Sequence, residues 1–78
     1  MKKNFYFTFG SAEEFPYKRG QFVLVKAKNM REAIQKYKEK HPCRTPGLLN
    51  CADYYPERIF NSFRDKYYKG VEPAEVIE

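Results

Sequence analysis

Phe22-Val23-Leu24-Val25-Lys26-Ala27-Lys28-Asn29-Met30-Arg31-Glu32-Ala33-Ile34, residues 22–34, changes its hydrophobic period midway, and that change decides the fold. Its first half alternates as a strand does. Val23, Val25 and Ala27 share one face; Phe22, Leu24 and Lys26 share the other. Both faces are partly apolar, which predicts a central strand or one with its second face covered. Its second half predicts a helix. Asn29 is placed to cap it, with Glu32 at the third helical position to complete a capping box. Met30, Ala33, Ile34, Tyr37 and His41 then recur at helical spacing as the buried stripe. Glu32 and Lys36 sit one turn apart in the favoured order. Pro42 disfavours helical geometry at His41 and ends the helix there.

Working outward toward the N-terminus, Asn4-Phe5-Tyr6-Phe7-Thr8-Phe9 alternates with period two, putting Phe5, Phe7 and Phe9 on one face. It is the natural antiparallel partner of the 22–27 strand. Residues 11–20 read as a long polar connection pinned by Phe15 and Tyr17. Toward the C-terminus, residues 42–53 form a loop with Leu48 and Leu49 as anchors. A second helix is expected to start at Asp53 or Tyr55, with Pro56 in its first turn. Ile59, Phe60, Phe63 and Tyr67 make its apolar face, and Gly70 terminates it. Ala74-Glu75-Val76-Ile77, preceded by Pro73, reads as an edge strand. The order β-β-α-α-β predicts a single α+β domain over residues 1–78. Its economical architecture is a small antiparallel sheet of about three strands with both helices on one face. That arrangement would leave Tyr6, Thr8, Phe22, Leu24 and Lys26 on a bare face, open to a partner or to a second copy in a homodimer.

A chain of 78 residues is one small domain, burying only about 60% of the surface its unfolded form exposes. Its aromatic content of 18% supplies much buried area from few side chains. The net charge is +5, and it is unevenly placed. Residues 1–40 carry ten Lys and Arg against four Glu, whereas residues 41–78 carry five against six Asp and Glu. This excludes a DNA mimic, which needs a dense acidic face, and permits attraction to nucleic acid or to an acidic protein. Lys2 and Lys3 precede an apolar stretch far shorter than a signal-peptide core, so a cytoplasmic location and no membrane association are expected.

Candidate chemistry is sparse. His41, Cys43, Cys51 and Asp53 form a local set of potential zinc ligands, but no Cys-x-x-Cys pair is present and Asp is an unusual structural ligand. Free thiols are the expected state, with a Cys43–Cys51 disulfide as the oxidised alternative. Lys18-Arg19-Gly20-Gln21-Phe22 has a passing likeness to the basic, aromatic strand of RNA-recognition motifs, with Tyr6 on the neighbouring strand. The spacing is one residue short, and no helix separates the two strands. Lys36 and Lys40 lie one turn apart and, with Lys26, offer a basic surface, although lysine late in a helix also complements the dipole. No catalytic spacing, phosphate loop or dinucleotide fingerprint occurs, so neither an enzyme nor a cofactor is expected. Tyr54-Tyr55 and Tyr67-Tyr68 flank the second helix beside Arg58, Arg64 and Lys69, a composition common at interaction surfaces.

FTFGSAEEFPYKRGQFVLVKAKNMREAI followed by LLNCADYY resembles small uncharacterised proteins of phages and integrated elements of Gram-positive bacteria. The resemblance implies a stoichiometric inhibitor or adaptor of host machinery, of the kind that anti-CRISPR proteins and nucleotide sponges represent. It assigns no residue. The expected function is therefore non-enzymatic binding of a protein or nucleic-acid machine, the alternative being direct binding of nucleic acid or nucleotide. Tyr6, Lys18, Arg19, Phe22, Leu24, Lys26, Lys36 and Lys40 are the candidate contacts.

Overall fold

The computed structural model describes residues 2–45 and 47–78. The alternating segments form β1 (Lys3–Thr8) and β2 (Phe22–Ala27), paired antiparallel with Phe5 opposite Val25 and Phe7 opposite Val23. The capped segment forms α1 (Met30–Lys40). The Asn29 side chain accepts from the Glu32 N–H at 2.9 Å, and the Glu32 carboxylate accepts from the Lys28 N–H at 3.1 Å. His41 closes α1 by donating its N–H to the Tyr37 carbonyl.

The next segment departs from the sequence expectation. Asp53–Pro56 is a strand, β3, and α2 (Glu57–Tyr67) begins only after Pro56. Tyr6 pairs with Tyr55 and Thr8 with Asp53, so pairing to β1 claims these residues before the helix does. Gly70 takes the left-handed conformation (φ 76°) just beyond α2. β4 (Glu75–Ile77) then lies parallel to β2, giving the order β3-β1-β2-β4. The α+β class stands, with four strands in a mixed sheet rather than three in an antiparallel one.

The helices lie on opposite faces, not on one. α1 sets Ala33 and Tyr37 against Phe5, Phe7, Phe9, Val23, Val25 and Ala27. α2 sets Phe60 against Tyr6 and Phe22, with Leu24, Tyr55, Phe63, Tyr68 and Val71 packed around them. Topology explains this. β2, β3 and β4 point the same way, since β1 is antiparallel to both β2 and β3 and β4 is parallel to β2. The β2–α1–β3 connection crosses the sheet in one direction and β3–α2–β4 crosses back. Crossovers between parallel strands have one strongly preferred hand. Two connections of the same hand running in opposite directions must pass over opposite faces.

Each face is built on a stacked ring pair. The Phe7 and Tyr37 rings lie 4.5 Å apart and 2° from parallel, and the Tyr37 hydroxyl donates to the Asn50 carbonyl at 2.7 Å. On the other face Tyr6 and Phe60 lie 4.1 Å apart and 4° from parallel. The face expected to be bare is thus a second small core. Among the described residues no helix is long and apolar enough to cross a membrane.

Candidate functional site

Four segments meet at the end of the sheet where β1 finishes. β1 delivers Thr8 and, just beyond it, Phe9, Gly10 and Ser11. The turn before β2 delivers Arg19 and Gly20, the latter at φ 91°, where the chain reverses through a Gln21 N–H to Lys18 carbonyl bond of 3.0 Å. β3 brings Asp53 and Tyr55, and the end of α2 brings Phe63, Tyr67 and Tyr68. Together they line a cleft of about 610 Å³, within the range of ligand and side-chain pockets.

Its walls are aromatic. Tyr55 meets Phe63 edge-on at 5.0 Å, and Phe63 meets Tyr67 edge-on at 6.1 Å. Tyr67 projects largely into solvent. Burial, and then the Tyr55 neighbour, push the Tyr68 hydroxyl above its ordinary range, against the opposing pull of Thr8 and Arg19. Burial, and then Asp53, push Tyr55 the same way. Both hydroxyls therefore stay protonated at neutral pH and serve as hydrogen-bonding groups rather than nucleophiles. The Thr8 hydroxyl is spent on the Asp53 carbonyl at 3.3 Å. Among the described residues no carboxylate lies within 4.0 Å of the exposed Arg19 guanidinium. The arrangement can grip a flat or apolar side chain beside an anionic one.

Of the candidate contacts and zinc ligands named from the sequence, Arg19 and Asp53 reach this cleft, together with Thr8 of the expected bare face and Tyr55, Tyr67 and Tyr68 of the tyrosine pairs. Tyr6 and Phe22 do not: both are buried under α2, and Leu24 is half-covered. The covered faces also remove the sheet as a platform for stacking bases. Arg64, expected among exposed contacts, instead lays its guanidinium 5.4 Å from the Phe22 ring centre and 5.8 Å from those of Tyr6 and Phe60. Lys18 is exposed beside its turn. The other lysines are partly committed. Lys36 donates to the Lys26 carbonyl at 2.8 Å and lies 3.5 Å from Glu32, while Lys26 lies 3.7 Å from Glu78. Lys40 sits by the far edge, near Val76 and Glu78.

The proposed zinc set is dispersed. His41 Nε2 is 2.6 Å from Glu75 Oε1, which also accepts from the Tyr17 hydroxyl at 3.0 Å. Cys51 packs on the first core, and both cysteines are free thiols. Among the described residues no group of three or more His, Cys, Asp or Glu is placed to hold a metal ion.

In the sequence Tyr55, Tyr67 and Tyr68 stand out as parts of tyrosine pairs of interaction-surface composition flanking the second helix, and Phe63 as part of that helix's apolar face. Their convergence with Thr8 and Arg19 depends on β3 pairing with β1, which local sequence does not display. No protein-family model, no curated protein and no solved structure matches this chain.

Proposed function

We propose that this chain is a small non-enzymatic protein that binds a protein partner stoichiometrically through the Arg19–Tyr67 cleft. One observation carries the reading. An exposed tyrosine, three half-buried aromatic rings and an arginine that, among the described residues, has no carboxylate within 4.0 Å line the same cleft. Aromatic residues and arginine are the types that dominate binding energy at protein interfaces. The resemblance to phage and mobile-element proteins points the partner toward host machinery, where a stoichiometric inhibitor or adaptor acts. A second reading, direct binding of nucleic acid or nucleotide, draws support from the same rings beside Arg19. The commitment of Lys26 and Lys36 to intramolecular partners weighs against it.

Affinity capture from nuclease-treated host lysate, repeated with Tyr67→Ala and with Arg19→Glu, tests the proposal. Capture of one protein by the wild type, lost in both variants and changing little with added salt, supports it. Capture that disappears with nuclease, or falls steeply as salt rises, transfers the function to phosphate binding. Capture indifferent to both substitutions refutes the cleft as the site.

A further inference from the structure

Three segments far apart in the chain meet at one carboxylate. Glu75, in β4, accepts from the Tyr17 hydroxyl at 3.0 Å and lies 2.6 Å from His41 Nε2, both contacts falling on the same oxygen, Oε1. Tyr17 belongs to the connection between β1 and β2, and His41 closes α1. The His41 and Glu75 side chains are each only 19% exposed, so solvent screens this clasp weakly. The imidazole is held in turn between rings, with Tyr17 edge-on at 5.9 Å and Tyr37 at 5.3 Å.

The clasp and the cleft lie on opposite faces of the sheet, and the 11–20 connection joins them. Phe15 and Tyr17 pack against the α1-side core, their rings 6.0 and 5.5 Å from that of Phe9. Just beyond Tyr17 the chain rounds the end of the sheet, and Arg19 and Gly20 line the cleft beside Tyr55, Phe63 and Tyr68 on the α2 side. The turn that carries them is closed twice. The Lys18 N–H donates to the Gln21 side-chain oxygen at 2.8 Å, and the Gln21 N–H to the Lys18 carbonyl at 3.0 Å. A turn closed in this way moves as a unit about its two stems. One stem is Phe22, wholly buried at the start of β2. The other is Tyr17, tied by its hydroxyl to Glu75.

We propose that Glu75 is a positioning residue for the cleft: through Tyr17 it holds the Arg19–Gly20 wall in place for the partner, with His41 orienting its carboxylate. This rests on the cleft reading above and adds the group that sets one wall. Without the tie, the Tyr17 stem keeps only its ring packing, and the closed turn swings about Phe22. The exposed Arg19 then samples positions away from the cleft, and affinity falls with the fraction of time the wall is in place. Glu75 touches no cleft residue in this scheme, so its influence arrives only along the connection.

Backbone nitrogen relaxation of the intact protein, followed by titration with the captured partner, tests the proposal in Tyr17→Phe, Glu75→Ala and Glu75→Gln. Tyr17→Phe keeps the ring and removes only the hydroxyl; Glu75→Ala removes the acceptor; Glu75→Gln keeps an oxygen that accepts from both donors. Order parameters at Arg19 and Gly20 are expected to fall from the rigid range, about 0.85, toward the flexible range below about 0.6 in the first two variants. They should recover in the third, with β1 and β2 rigid throughout. Partner affinity should follow the same sequence, weakening by about tenfold in Tyr17→Phe, the scale of one hydrogen bond to a charged group. A lowered denaturation midpoint with Arg19 and Gly20 still ordered in the folded variants overturns the proposal, because the clasp would then serve stability alone. A loosened wall with affinity unchanged in Tyr17→Phe but lost in Arg19→Glu also overturns it and leaves the cleft reading standing. Affinity indifferent to Arg19→Glu as well removes the cleft reading, and this proposal with it.

Discussion

Phe60→Ala probes the two-faced architecture. The Phe60 ring is fully buried, stacked on Tyr6 at 4.1 Å and within 5.1–5.3 Å of the Phe22, Tyr68 and Phe63 rings. It is the one wholly buried side chain of α2. Truncating a buried Phe to Ala costs about 3–5 kcal/mol through lost transfer energy and the cavity left behind. The upper part of that range is expected, because Tyr6, Phe22 and Tyr68 belong to β1, β2 and the chain after α2 and cannot collapse together without moving the sheet. A domain of this length has a total stability of about 4–12 kcal/mol, so a large fraction disappears. Urea denaturation followed by far-ultraviolet circular dichroism measures it, provided the slope with denaturant is unchanged. A loss below about 1 kcal/mol would refute the packing of α2 on the Tyr6–Phe22 face, since no exposed or half-packed Phe is compatible with the larger figure.

Asn29→Ala removes the side-chain acceptor of the Glu32 N–H and should cost about 1 kcal/mol in the same denaturation assay. A loss of a few tenths at most would show the cap to be dispensable. The Glu75 carboxyl is raised by desolvation, but hydrogen bonds from His41 and Tyr17 outweigh this and hold it below the ordinary range. A depressed folded-state value contributes stability above the unfolded value and loses it as pH falls through the folded one. Stability should therefore decline as pH drops below the usual carboxylate range, and Glu75→Gln should flatten that part of the profile; an unaltered profile contradicts the assignment. Burial, followed by the Asp53 and Cys43 charges, pushes the Cys51 thiol up to about 12. Alkylation of Cys51 at neutral pH should be slow in the folded protein and accelerate in denaturant, as peptide mass mapping would show; equal rates would place Cys51 outside the core.

Much of the fold is local and so was legible. Alternation around Phe5–Phe9 and Phe22–Ala27, and the Asn29–Glu32 box, specify β1, β2 and α1 by short-range chemistry, and the structure keeps all three. β3 was not legible, because Asp53-Tyr54-Tyr55-Pro56 satisfies helix-start rules and becomes a strand only through partners at Phe5–Thr8. The opposite placement of the helices had a signal in the sequence. Tyr6, Phe22 and Leu24 share one face of a strand pair whose other face holds Phe5, Phe7, Val23 and Val25, and apolar residues on both faces call for two covers. The cleft stayed hidden for the same reason as β3. Arg19 and the two Tyr-Tyr pairs stood out by type, but their meeting depends on strand order across the sheet, which periodicity does not encode.

The central claim is that recognition occurs at the Arg19–Tyr67 cleft. Titrating isotope-labelled protein with the captured partner, and following backbone amide resonances by nuclear magnetic resonance, tests it most directly. The account predicts that the largest shifts fall at Gly10, Ser11, Arg19, Gly20, Tyr55 and Tyr67, with Lys28, Lys36 and Lys40 nearly unmoved. Shifts concentrated at Lys26, Lys28, Lys36 and Lys40, with the cleft amides unmoved, would contradict it and place binding on the basic face of α1.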